Sequence, residues 1–318
     1  MSLRHLEWLA GVGLCLLAGA LRAESPKLDY QVSSQHAFLL NIADNGDHLV
    51  AVGERGVVLI ADEKNAQWRS VRTDTTRTLS GVAFVSAAIG VAVGHGGTLL
   101  RTDDGGLHWS SIETPANGDS LLGVIALGDG RMAAWGAFGL YLRSSDNGVS
   151  WQRLPVLDGD FDRHISQVIT LANGDCLMVG ESGTLARSRD HGETWQAMDS
   201  PYAGSLFGAL QLQNGALLIY GMRGNVWLSS DDGLTWARRD TATTFAFNGA
   251  LQLKSGRVLV LGNSGLLLAS DDQGQTFKTL PSTHTSLAKA LQLADGQLLA
   301  VGDRGVTPLA ANVTQGQE

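Results

Sequence analysis

The sequence predicts an all-β fold: a seven-bladed β-propeller of four-stranded antiparallel blades, with the last blade closed by the N-terminal strand. Three observations predict it. Two glycines three residues apart recur seven times. The first of each pair is Gly53, Gly94, Gly136, Gly180, Gly221, Gly262 and Gly302, and the second is Gly56, Gly97, Gly139, Gly183, Gly224, Gly265 and Gly305. The steps are 41, 42, 44, 41, 41 and 40 residues. A period near 40 without helical patterning means one small β-sheet per repeat. An apolar strand follows each pair, and five repeats then carry Ser/Thr-x-Asp-x-Gly-x-x-Trp or its Phe version.

The chain opens with a stretch that reads as a secretory signal over residues 1–23. Arg4 and His5 form its basic end, Leu9 to Leu21 is apolar without a charge, and cleavage is expected after Ala23. The apolar run is short of the roughly 20 residues that span a bilayer. The mature protein is therefore expected to be exported, periplasmic or extracellular, and not transmembrane. The propeller is assigned to 24–311 and a C-terminal tail to 312–318.

Leu28 to Ser33 alternates like a strand but belongs to no repeat. Repeat five shows the unit clearly. Its strands are expected over Leu206–Leu212, Ala216–Tyr220, Asn225–Ser229 and Thr235–Arg239. The turns between them are Gln213-Asn214-Gly215, Gly221–Gly224 and Asp231-Asp232-Gly233, and Asn-Gly is a favoured hairpin pair. The seventh repeat runs out after Gly305, and Pro308 weakens the end of its third strand. An open sheet edge there would invite aggregation. Leu28 to Ser33 is the natural fourth strand of blade seven.

Composition bounds the function. The net charge is −8, and loss of Arg4, Arg22 and Glu7 with the leader makes it −9. Phosphates would be repelled, so no nucleic-acid partner is expected. Cys15 lies in the leader, which leaves Cys176 alone, expected as a small buried hydrophobe. No disulfide or cysteine-based metal site can form. The histidines scatter over loops. Asp158, Asp160 and Asp162 stand in the long connection that makes the 44-residue step, but Ile169 occupies the twelfth position, where a calcium loop needs Glu. No metal and no cofactor are expected.

The five turn motifs centre on Asp104, Asp146, Asp190, Asp231 and Asp272. The carboxylate and the Ser or Thr hydroxyl can bond the turn's own backbone, Gly takes the left-handed position, and Trp packs beneath. A residue repeated in every blade is scaffold, so these carboxylates are read as structural and no catalytic residue is assigned.

This turn is similar to the Asp-box of the BNR-type repeats found in sialidases and other propellers. The longer stretch Gly94-His-Gly-Gly97-Thr98-Leu-Leu-Arg101-Thr102-Asp-Asp104-Gly105-Gly106-Leu-His-Trp109 resembles the photosystem II stability and assembly factor family of seven-bladed propellers. The resemblance covers about Leu28 to Ala311. It implies an assembly chaperone without catalysis. Bacteria without a photosystem also carry members, often beside exporters of the resistance-nodulation-division type. The resemblance therefore implies an accessory role at an envelope membrane complex, with a protein as partner and the chain itself a monomer. It also implies an arginine patch, whose position Arg101, Arg143 and Arg187 match; stacking of these guanidiniums between blades is the alternative.

A second arginine set comes from topology. The turns between second and third strands share one rim with the inter-blade connections. Arg55, Arg223 and Arg304 stand in such turns, and Arg77 and Arg163 in connections. These can receive carboxylates from a partner; the alternative pairs Arg55 and Arg304 with their own Glu54 and Asp303. A sialidase-like glycoside hydrolase or a carbohydrate-binding propeller is the competing function. Hydrolysis of that type needs converging arginines and a Tyr–Glu pair. Tyr220, at the end of a second strand, can face the channel, but no Glu accompanies it.

Overall fold

A computed structural model describes residues 32–62, 67–157, 160–310 and 313. Seven sheets are present. Six have four antiparallel strands each, in simple meander order. Blade five matches its expectation closely, with strands Leu206–Gln211, Leu217–Gly221, Val226–Ser229 and Ala237–Arg239. The fourth strands are short, two or three residues in every blade that has one. The second strands are buried almost throughout, because each sheet is covered on both faces by its neighbours.

The seven first strands form the inner wall. Leu39–Asp44 of blade one touches Leu79–Phe84 of blade two and Leu287–Gln292 of blade seven, so the ring closes. Side chains of the inner strands reach across the seams. Gln211, Gln252 and Gln292 each accept a backbone N–H from the hairpin of the preceding blade: Ala172, Gln213 and Lys254.

Blade seven has three strands among the described residues, Leu287–Gln292, Leu298–Gly302 and Gly305–Leu309. Its expected fourth strand, Leu28 to Ser33, lies outside the described residues except for Val32 and Ser33, as does the leader. The chain just after it is well placed. Val306 donates its N–H to the Ser34 carbonyl at 2.8 Å. A Cβ on Gly305 would fall 1.8 Å from that same oxygen, as one on Gly56 would fall 2.1 Å from the Thr75 oxygen. Ser34 thus does for blade seven what the outgoing connection does for blade one. Val313, in the stretch read as tail, is buried beside Leu253 and Leu309 and accepts an N–H from Arg257.

Two details refine the sequence expectation. The hairpins at Gly46, Gly174, Gly215, Gly256 and Gly296 have positive φ at glycine alone. At Gly174, Gly215, Gly256 and Gly296 this is a three-residue loop ending in a glycine bulge, whereas Asn45 donates its N–H to the His48 carbonyl across a two-residue loop that Gly46 opens. Only Asp129-Gly130 has both residues left-handed. Five of the Gly-x-x-Gly turns are single tight 3-10 turns, and the third residue is left-handed in six blades: Arg55, Gly96, Phe138, Ser182, Arg223 and Ser264.

The two glycines of each turn serve different needs. The second has φ between +66° and +77°. The first is extended, a conformation open to any residue, yet a Cβ on Gly221 would sit 2.2 Å from the Ser205 carbonyl oxygen. Gly221→Ala should therefore destabilise the fold by about 2 kcal/mol or more, as overpacking does. Gly215→Ala, with open space around it, should cost only the left-handed strain of about 1 kcal/mol. Urea unfolding of the two variants should show this order.

Candidate functional site

The two rims of the ring differ in chemistry. On one rim lie the Asp-boxes. In blade two, Thr102 donates its hydroxyl to Asp104 Oδ1 at 2.8 Å and accepts the Gly106 N–H at 2.9 Å. Asp104 Oδ1 also accepts the His108 N–H at 2.9 Å, and the Trp109 indole donates to the Gly106 carbonyl at 3.0 Å. Asp146, Asp190, Asp231 and Asp272 repeat the hydroxyl and backbone bonds, and Trp151 repeats the indole bond to Gly148. One member escaped the sequence reading. The residue before the aromatic gives the other carboxylate oxygen a partner: Ser150, Thr194, Thr235 and Thr276 donate a hydroxyl to it, and His108 lies beside it. A polar residue there in every complete copy, Ser or Thr in four and His in one, was the available signal.

These bonds set the charge. Partial burial works against the Asp104 carboxylate, but hydrogen bonds from His108 and Thr102 outweigh it and its pKa falls to about 2. Asp190 and Asp272 reach about 2 in the same way. For Asp231 the Thr235 hydroxyl is the main cause, again giving about 2. Asp146 is lowered too, its Ser150 bonds prevailing over burial.

Arg101, Arg143 and Arg187 also belong to this rim, and each clasps the next blade. Arg101 Nε donates to the Asn147 carbonyl at 2.9 Å. Arg143, almost fully buried, bonds Glu193 at 2.6 Å. Arg187 holds Asp175 at 2.8 Å and Asp232 at 2.7 Å. Their guanidiniums are engaged across the blade seams.

The opposite rim carries the turns and connections, since each first strand begins beside the end of its second strand, as Leu39 beside Gly53. Arg55, Arg77, Arg163, Arg223 and Arg304 are all exposed here. Among the described residues none of the five is in an ion pair, so Arg55 and Arg304 are not held by Glu54 or Asp303. Arg77 lies over Gly96 of the adjacent turn. Phe38, Phe138 and Phe245 are exposed on the same rim, and Phe138 meets the His164 ring edge-on at 5.1 Å.

The channel opens on this rim as a cavity of about 740 Å³. Every blade contributes. Each inner strand has a β-bulge after its first residue, and the bulged residues Leu40, Ser80, Leu122, Ser166, Phe207, Asn248 and Ala288 all line the mouth. Bulges re-aim side chains in this way. Sequence reasoning missed this ring. A period-2 count through the inner strands misses a bulge, although in blades two to seven the bulged residue stands 14 positions before the first glycine, and in blade one 13. Further along the channel, Lys289 is open to solvent and bonded to Asn41 Oδ1 at 3.3 Å; the surrounding protein desolvates its amine and lowers its pKa.

A second cleft, of about 550 Å³, lies under the long connection and is lined by Asp160, Asp162, Arg163 and Trp195. Asp158 lies outside the described residues. Among the described residues no three His, Cys, Asp or Glu side chains converge as a metal site requires. Tyr220 does not face the channel. It is buried between blades five and six, beside Phe247 and Val258, and that burial raises its pKa. Cys176 is buried, as expected of a small hydrophobe.

Fold and rim together define an Asp-box propeller with one knitted face and one open face, the class of ring that serves as a protein-interaction scaffold. The chain belongs to the family described as photosynthesis system II assembly factor YCF48, whose profile matches residues 60–244, more than half of its length. Among solved structures it is similar to YCF48 bound to a D1 peptide, at 22% identity and TM-score 0.72 over 87% of this chain and 94% of that one. YCF48 from Cyanidioschyzon merolae matches at 18% identity and TM-score 0.70 over 87% and 96%. The Cps50 (Swd1) propeller of Myceliophteria thermophila matches at 14% identity and TM-score 0.68 over 88% and 97%. No curated protein matches the sequence.

The depressed carboxyls make a pH prediction. Their folded pKa values lie below the ordinary value of 3.8, so the native state binds fewer protons than the unfolded chain in that window. The stability they contribute is present above about pH 4 and is lost as pH falls toward about 2. Urea unfolding between these limits should show stability rising with pH, and Asp231→Asn should flatten that slope.

Proposed function

We propose that this chain is an exported, non-catalytic scaffold that acts as an assembly or accessory factor for an envelope membrane protein complex, with a resistance-nodulation-division exporter as one candidate. The supporting observation is the open rim: five exposed arginines that make no ion pair among the described residues, and three exposed phenylalanines, on one face. Singly, exposed apolar residues need no explanation, but arginine and aromatic side chains grouped on one face are the composition of interface centres. The family supports the same reading, and one member has been seen with a peptide bound. No helix among the described residues is long and apolar enough to cross a membrane. This suits a factor that docks on a membrane complex. The hydrolase reading loses its main candidate with Tyr220 buried, and the fold is compatible with a protein that does no chemistry.

Two experiments test this. Pull-down from envelope extracts should recover a defined membrane partner, and Arg55→Glu with Arg304→Glu should reduce recovery about tenfold; unchanged recovery removes this face from the reading. Mass spectrometry of the protein from the periplasmic or secreted fraction should find Glu24 at its N-terminus. Full-length chain in the cytoplasm would end the export claim.

A further inference from the structure

The arginines of the open rim leave its centre unexplained. The mouth cavity is lined by two carboxylates, Glu181 of blade four and Asp303 of blade seven, and by no lysine or arginine among the described residues. Each comes from the second position of its Gly-x-x-Gly turn. Glu181 Oε2 accepts the His164 N–H at 3.1 Å, with the His164 ring nitrogen 3.2 Å away. Asp303 Oδ2 accepts the Ser286 N–H at 3.1 Å. Among the described residues neither meets a lysine or arginine. The rest of the wall is mixed: Phe38, at 41% exposure, Phe207, Leu40 and Leu122 are apolar, and serines and asparagines such as Ser80, Ser166 and Asn248 stand between them with His164.

We propose that this mouth receives one basic side chain, arginine or lysine, carried between apolar residues on a protruding loop of the partner protein. The inference rests on the scaffold reading above and gives its partner a chemical form. Carboxylates in a low-dielectric mouth focus a negative potential, and the net charge of −8 adds to it. Phe38 and Phe207 line the same mouth, where an aromatic ring can attract a cation, and carboxylates accept a guanidinium through paired bonds. The size is that of a ligand pocket rather than a flat contact. The arginines of the turns are absent from the lining. The partner surface thus needs one basic residue at its centre and carboxylates around it.

The test is fluorescence polarisation with full-length protein and a labelled, capped heptapeptide holding one arginine between leucine and phenylalanine. The arginine peptide should bind. Replacing the arginine by neutral citrulline, or using a Glu181→Gln/Asp303→Asn protein, should weaken binding about tenfold or more. Raising salt from about 50 to about 300 mM should weaken it as well. If the double variant does not fold, Glu181→Gln alone is measured, with a loss of about threefold or more expected. Four results overturn the proposal: no binding at millimolar protein; equal binding of the citrulline or a glutamate peptide; undiminished binding by the variant; or agmatine alone binding as tightly as the peptide, which would make a free organic cation the occupant. A negative peptide result with an intact pull-down sinks this inference alone. Failure to recover any membrane partner sinks the scaffold reading.

Discussion

One contact, repeated in all seven blades, shapes the ring. The carbonyl that precedes each inner strand sits where the first glycine of that blade's Gly-x-x-Gly turn would carry a side chain. The oxygens of Phe38, Thr78, Ser120, His164, Ser205, Ala246 and Ser286 lie 2.0–2.8 Å from those vacant Cβ positions. Each also accepts the N–H of the next turn residue, from Glu54 to Asp303, at 2.9–3.2 Å. The connection is thereby pinned to the turn by backbone alone. Pinning fixes where the inner strand begins, and the bulge that follows turns one side chain per blade into the channel mouth.

That arrangement separates structure from surface. The turn is held by two glycines and backbone hydrogen bonds, so it does not depend on one type of side chain at its two central positions. These differ from blade to blade, as Ala137-Phe138, Glu181-Ser182 and Met222-Arg223 do, while blades one and seven carry the acid–arginine pairs Glu54-Arg55 and Asp303-Arg304. The other rim is built in the opposite way. There the side chains themselves hold the turn, through Ser or Thr, Asp and the polar residue before the aromatic, and the arginines of the third strands clasp the next blade. A face whose side chains are spent on the fold has few left for a partner.

The difference explains what the sequence revealed. The blade count, the strand order and the Asp-boxes were legible because each needs fixed residue types at fixed spacing. Gly221 and Gly224 can be replaced by nothing larger, so the repeat survives in the letters. The arginines divided by topology. Arg55 and Arg304 reached the open rim because their turns lie on it, whereas the commitment of Arg143 to Glu193 depends on how two sheets stack, which no single repeat encodes. Tyr220 failed for a related reason: its place at the end of a second strand says nothing about which neighbouring sheet covers it. The ring of bulged residues was missed because a bulge shifts the phase of a strand by one, and Ser80, Phe207 and Asn248 share an offset but no chemical type.

The same physics bears on how the mouth and its surround work together. The second and third positions of each turn are adjacent in sequence but differ in backbone: the second donates its N–H to the pinned carbonyl, and the third is left-handed in six blades. In blades four, six and seven the second position lines the mouth, as Glu181, Asn263 and Asp303, whereas none of the turn arginines, all at third positions, does. Opposite charges can therefore stand next to one another in the chain, as Asp303 and Arg304 do, and still serve different radii of one surface. An exposed pair of that kind gains little by closing on itself. Held apart by the turn, both charges stay available to a partner. Charges so arranged contribute mainly to the rate and orientation of encounter, while the phenylalanines beside them supply the area that water must leave.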